Sequence, residues 1–234
     1  MTQVGNRIFT KIERADKALV ERFAKIPTSN INDQMNRLYN TDSTIKPLNK
    51  ARMAGTAFTV RCNLGDNMML HRALDLAQPG DVIVVDDGGC TERSLAGEIM
   101  MTYAMKRGIA GVAVNGCLRD YDALSEMEMP IYCKGITPQG PFKFGPGEIN
   151  VPVVLGGVVV MPGDILIGDP DGIVVIRKED AADVIEAAEK KLAGETKKLA
   201  KYHSEGPDID VHEPKWREEV LKSGAVVIDD KQKL

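Results

Sequence analysis

Several things are scarce in this chain, and each scarcity closes off a class of protein. Three histidines and four cysteines (Cys62, Cys90, Cys117 and Cys133) lie scattered without a CxxC pair or a paired-histidine spacing, so no zinc framework is written here. The cysteines are expected to be free thiols in a reducing compartment. Charge of one sign is not in excess: 30 basic against 34 acidic side chains leave a net charge of −4, which advertises neither nucleic acid nor an anionic membrane. Long apolar runs are missing as well. The longest, Val151 to Met161, is broken by Pro152, Gly156 and Gly157 and is far short of the ~20 residues of a membrane span. The opening MTQVGNRIFTKIERAD has no apolar centre of the signal-peptide kind, which predicts a cytoplasmic protein.

What is present is an ordinary globular composition, 43% apolar over 234 residues, enough to bury a sizeable core. Helical periodicity over Lys17 to Ile26, and again over Ser29 to Tyr39 after Pro27, predicts two N-terminal helices. GTAFTVRC, from Gly55, alternates with period two and reads as a strand, and NMMLHRALDLA, from Asn67, returns to the helical period. DVIVVDD and GVAVNG are continuous aliphatic runs ending in acid, polar or glycine residues, as buried strands opening into loops do. A helix from Leu95 to Arg107, closed by Gly108, lies between them and predicts a right-handed parallel crossover. Beyond Asp122 the pattern is β-rich (PIYCKGIT, EINVPVVLGGVVV, DILIGDPDGIVVI), which suggests a second sheet layer. Lys178 to Tyr202 predicts a long amphipathic helix, and Trp216 to Leu221 a short last one. The domain division expected is 1–177 for the α/β body and 178–234 for the helix and tail.

The segment VNGCLRDYDAL places Arg119 and Asp120 at the carboxyl end of the GVAV strand, where ligand sites of α/β folds gather. Read structurally, the pair is a salt bridge, or Asp120 caps a short helix at Ala123 to Met127. DDGGCTERSLAGEIMM likewise leaves a strand, passes Gly88 and Gly89, and starts a helix near Glu98, whose free backbone N–H groups favour an anion. If the two strands are neighbours, Glu98, Arg119 and Asp120 meet at one crevice. Carboxylates suit Mg²⁺ or Mn²⁺ and the guanidinium fork suits a substrate carboxylate, which together describe a metal-assisted site for a small oxo acid. Cys90 and Cys117 are expected in the loops beside it.

At these residues the sequence resembles the RraA-like group that includes the class II 4-hydroxy-4-methyl-2-oxoglutarate and 4-carboxy-4-hydroxy-2-oxoadipate aldolases. Those enzymes are marked by an acid, twenty intervening positions and Arg-Asp; here twenty residues separate Glu98 from the pair Arg119-Asp120, preceded by GIAGVAVNG. Glu98 stands where those aldolases carry Asp. The resemblance spans Phe23 to Ile176. It implies an α/β/β sandwich related to the swivelling phosphohistidine domain, assembled as a homotrimer or homohexamer with sites between subunits. It further implies Mg²⁺ on Asp120, with Glu98 holding coordinated waters, Arg119 on the keto oxygen and carboxylate of pyruvate, and the amides of Gly97, Glu98, Ile99 and Met100 on that carboxylate. Glu195, in LAGETKK, is the candidate for an acid sent from a neighbouring subunit, its plainer reading being a solvated helix charge. The reaction implied is retro-aldol cleavage of a 4-hydroxy-2-oxo acid to pyruvate, with a base held by Glu98 or Glu195, and oxaloacetate decarboxylation as a side activity. Two other readings are a non-catalytic regulator of the ribonuclease E type that binds a protein partner, and a methyltransferase. VVDDGGC lacks the G-x-G-x-x-G spacing that a nucleotide-binding loop needs.

Overall fold

The structure is a computed structural model and describes residues 3–204 together with Glu219 and Lys222. The chain divides into two compact units, Met1–Leu192 and Ala193–Leu234. The predicted helix at Trp216 to Leu221 falls outside the described residues but for Glu219. Among the described residues no helix is long and apolar enough to cross a membrane.

The first unit is mixed α/β. Its helices are α1 (Lys17–Phe23), α2 (Thr28–Gln34), α3 (Met68–Leu76), α4 (Glu98–Lys106), α5 (Tyr121–Ser125) and the start of α6 (Ala181–Ser204). Its strands are β1 (Lys46–Pro47), β2 (Met53–Cys62), β3 (Asp81–Ser94), β4 (Gly111–Leu118), β5 (Ile131–Ile136), β6 (Gly147–Ile149), β7 (Val153–Leu155), β8 (Val158–Val160), β9 (Ile165–Asp169) and β10 (Gly172–Ile176). One sheet runs β1-β5-β4-β3-β2-β9-β10, with β6 added to the far end of β2, while β7 and β8 form a separate hairpin. The parallel connection expected through α4 is present, since β3 and β4 pair in parallel, Ile83 opposite Val112 and Val85 opposite Val114. The β-rich half does not form a full second layer. Strands β9 and β10 extend the first sheet antiparallel to β2, and only the β7–β8 hairpin is left to cover a face.

Three apolar clusters follow from this. Val85, Leu95, Val112 and Val114 pack with Leu70, Ala73, Met101 and Ala104 of α3 and α4 on one face of the sheet. Val82 and Val84 pack with Val153, Leu155, Val158 and Val160 of the hairpin on the other. Because alternate residues of β3 serve opposite faces and both are covered, its run is continuously aliphatic and not alternating. Phe23, Ile26 and Ile31 pack with Ile165, Ile167 and Ile185 around the β9–β10 edge.

The helices are shorter than their periodicity suggests, for local reasons. In α1, Asp16 caps the start, its carboxylate accepting from Ala18 N at 2.7 Å. In α2, the chain leaves the helix at Asn36 and Arg37, both in the left-handed region. Its start is capped from a distance: buried Asp169, at the β9–β10 turn, accepts from Thr28 N at 2.9 Å and Thr28 Oγ1 at 2.8 Å. The predicted helix from Leu95 begins only at Glu98, because Leu95 to Gly97 are used to leave β3. Gly108, with φ +76°, closes it as expected. The glycines after Asp87 do not end β3 either. It continues to Ser94 through two register shifts against β4, with Gly88 and Gly89 at positive φ, so Cys90 and Cys117 lie in strands and not in loops.

Candidate active site

The two motifs meet because β3 and β4 are neighbours and both chains leave the sheet at the same end. Leu95 N donates to Cys117 O at 2.9 Å and Arg119 N to Ala96 O at 3.0 Å, so the exits are tied backbone to backbone. Gly97 then enters α4 with ordinary extended torsions. A methyl group there would stand 2.1 Å from Asp120 Oδ2 and 2.9 Å from Arg119 Cγ, so the glycine is required by the pair it faces.

Asp120 occupies the position before α5 but makes no cap bond to it, and its backbone is left-handed, φ +62°. Aspartate tolerates that region better than most residues, and non-glycine examples concentrate at functional sites. Instead its Oδ2 accepts from Glu98 N at 3.0 Å, at the positive end of α4. Arg119 Nε lies 3.8 Å from the same oxygen, a loose charge contact, with both side chains nearly half exposed. A structural salt bridge would be tighter and better buried.

Around the pair lies an open cleft of about 380 Å³, lined by Leu95, Ala96, Gly97, Ile99 and Met100 from the α4 entry, by Arg119 and Asp120, and by an opposite wall. That wall consists of Asn67, just before α3, His71 from α3, and Gly140, Pro141 and Lys143 from the β5–β6 connection. Asn67 is buried; its Nδ2 donates to Leu95 O at 2.7 Å, and its Oδ1 has no partner. The wall is held by Arg93, which donates to Gly140 O at 2.9 Å and stacks on the Phe142 ring at 4.0 Å.

Of the residues singled out in the sequence, the structure brings Gly97, Ile99, Met100, Arg119 and Asp120 into one cleft. Glu98 contributes its amide to Asp120, and its exposed side chain is not part of the lining. Glu195 lies on α6, in the second unit. The wall residues Asn67, His71 and Lys143 were missed, since nothing in one lysine of a glycine- and proline-rich stretch marks it. The cysteines are free, and burial pushes the thiols of Cys62, Cys117 and Cys133 upward, the last to about 12, as inert thiols require.

A divalent cation can be weighed against this donor set. Among the described residues no group of three or more His, Cys, Asp or Glu side chains could enclose a metal. Asp120 offers one hard carboxylate beside a cleft open to water, its Oδ2 meeting the amide of Glu98. That fits an ion such as Mg²⁺, which keeps several waters and takes one or two carboxylates.

A family model described as RraA-like, Aldolase/RraA, matches residues 28–175. A protein of Halalkalibacterium halodurans, carrying the provisional name 4-hydroxy-4-methyl-2-oxoglutarate aldolase, is 42% identical over 183 residues, 78% of this chain and 87% of its own. One of the same provisional name from Ectopseudomonas mendocina is 38% identical over 52% of this chain and 74% of its own. Among solved structures, Streptomyces coelicolor RraAS2, described as an unusual member of the RNase ES inhibitor RraA protein family, is 28% identical. It superposes with a TM-score of 0.73 over 81% of this chain and 99% of its own.

Proposed function

Because the chain belongs to the RraA-like family, we propose that it is a divalent-metal-dependent lyase that cleaves a 4-hydroxy-2-oxo acid to pyruvate. The observation that carries this is the convergence of Arg119, Asp120 and the amide end of α4 on one cleft, across from Asn67, His71 and Lys143. The two aldolase-named relatives support the same reading.

The chemistry is set by charge. Breaking the carbon–carbon bond beside a 2-oxo acid leaves an enolate, which water stabilises poorly. Arg119 would hold the keto oxygen and carboxylate together through its planar fork. The first-turn amides from Gly97 to Met100 receive the carboxylate end at the positive pole of α4. Asp120, with Glu98 next to it, would hold Mg²⁺ or Mn²⁺, which supplies Lewis-acid polarisation of the keto oxygen. Glu98 or Glu195 is the candidate for keeping the base that takes the 4-hydroxyl proton; for Glu195 this requires a neighbouring subunit. Lys143 and His71 add positive charge and a proton donor to the far wall, which suits a second carboxylate. Oxaloacetate, which yields the same enolate on losing CO₂, is the expected side substrate. Ile99 of the cleft and Phe144, next to Lys143 in the chain, are 86% and 87% exposed, which suits an assembly that covers them, in this reading a homotrimer or homohexamer.

The deciding experiment is a coupled pyruvate-release assay on 4-hydroxy-2-oxo acids and oxaloacetate, with Mg²⁺ and after exhaustive chelation. Metal-dependent release is expected; full release after chelation removes the metal, and no release from any substrate removes the lyase. The likeness to RraAS2 favours a second reading in that last case, a regulator that binds a ribonuclease and performs no chemistry.

A further inference from the structure

Behind the cleft sits a carboxyl that the reaction does not use. Asp87 follows the aliphatic run of β3 and is fully buried. Its neighbour Asp86 points to the hairpin side, accepting from Val154 N at 3.0 Å. Asp87 itself points to the other side, where Oδ1 accepts from Gly65 N at 2.8 Å and Oδ2 has no partner. Room for it exists because Gly116 of β4 has no side chain; a methyl group there would stand 3.0 Å from both Cβ and Oδ2 of Asp87.

The turn that Asp87 grips is joined to both parts of the cleft's far wall. Phe142 N donates to Gly65 O at 2.8 Å, and Asn67 N donates to Phe142 O at 3.0 Å. Buried Asp66 accepts from Phe144 N and Gly145 N at 2.6 and 3.0 Å. Asn67 and Lys143 are therefore carried on two segments zipped to each other, and Gly65 fastens the zipped pair to the middle of β3, beside the bonds of Gly140 O to Arg93 and of Asn67 Nδ2 to Leu95 O at its end.

We propose that Asp87 is a positioning residue for the candidate cleft, holding the 63–67 turn through Gly65 and, zipped to it, the 140–145 segment, so that Asn67 and Lys143 stand opposite Arg119. This rests on the lyase reading only for its effect on substrate; the hold itself does not depend on it. The same placement makes the hold sensitive to pH. The charged groups bearing on Asp87 are both acids, Asp86 on its own strand and Asp66 on the turn, and the groups facing it from β2 and β4 are the thiols of Cys62 and Cys117. The Arg93 guanidinium on the outer side of the turn is engaged by Gly140 O and the Phe142 ring. Burial, reinforced by the two acids, pushes the Asp87 carboxyl up to about 7.

A carboxyl raised in the closed form holds its proton there and releases it when the turn lifts and water enters. Opening is therefore least favoured in the acid range. It grows as pH rises from the ordinary carboxylate range, and it levels off above about 7, where Asp87 is ionised in both forms. The outer residues of the turn, Asn63 and Leu64, are exposed, while Gly65, Asp66 and Asn67 are buried and are uncovered together with Asp87 when it lifts.

Hydrogen exchange on the intact protein, corrected for intrinsic rates, tests this. The amides of Gly65, Phe142, Phe144 and Gly145 are expected to lose protection between about pH 5 and 7, by up to about tenfold per pH unit. The β3 and β4 amides of Val84 and Val114 should not follow. Asp87→Asn keeps an oxygen for Gly65 N and cannot ionise, so its four amides should stay protected across the window. In the pyruvate-release assay KM, more than kcat, should rise over the same range in the wild type and not in Asp87→Asn. Identical pH profiles of exchange in the wild type and Asp87→Asn, or a flat wild-type profile, would overturn the assignment. Exchange that behaves as expected while no oxo acid is cleaved leaves Asp87 in its positioning role and removes the lyase reading alone.

Discussion

At the scale of single residues, Arg119 and Asp120 separate a reaction site from a salt bridge. Arg119→Lys keeps the charge and loses the planar fork, so turnover should fall by roughly 10²-fold or more in the pyruvate-release assay, the scale of losing one preorganised stabiliser of an oxyanion. Asp120→Asn tolerates the left-handed backbone and keeps an oxygen for Glu98 N, so the fold should stand. Its turnover should vanish at ordinary Mg²⁺ and recover in part at much higher Mg²⁺, read as a shifted metal titration. Gly97 offers a third test on ordinary torsions. Gly97→Ala puts a methyl group 2.1 Å from Asp120 Oδ2, the end of a side chain that can swing away. We expect a nearly unchanged melting temperature with activity lost, and wild-type activity in Gly97→Ala would show that Asp120 need not be where it is. Glu98 and the Arg-Asp pair were legible in the sequence because strand ends and glycines announce them. The wall residues were not, because Asn67, His71 and Lys143 come from segments some 70 residues apart whose adjacency depends on Asp66 and Gly65.

At the scale of elements, the crossover β3-α4-β4 was readable, since two aliphatic runs around a helical period leave few alternatives. The true length of β3 was not. Gly88 and Gly89 look like a stop, yet the strand continues with shifted register, Cys90 opposite Gly116 and Ser94 opposite Cys117. Chain ends behave likewise: nothing in the sequence says that the arm before α1 is fastened, yet Arg14 donates to both oxygens of buried Asp81 at 2.8 Å. Arg14→Ala would leave a carboxylate inside with only Gln78 N for company. We expect a loss of about 3 kcal/mol in denaturant unfolding, the low end for a broken buried pair. A loss under half of that would mean the arm is held by its other bonds, such as Phe9 N to Ile149 O.

At the scale of the whole molecule, the exposed Ile99 and Phe144 beside the cleft make assembly part of the proposal. Light scattering on the wild type should give three or six times the 25.5 kDa chain, and Ile99→Asp should lower both mass and activity together. A fully active monomer would place the site within one chain and remove Glu195 from it.

Periodicity and glycine placement act within a few residues, so the amino-acid order alone establishes the α/β class, the end of β4 before Arg119 and the spacing from Glu98 to Arg119. Which face the late strands cover, where β3 ends and what stands across the cleft are settled by long-range contacts. Those outcomes depend on hydrogen bonds between distant segments, such as Asp169 to Thr28 and Asp66 to Phe144, and on gaps opened by Gly97 and Gly116 for side chains from other strands and turns. No local pattern encodes a partner that far along the chain.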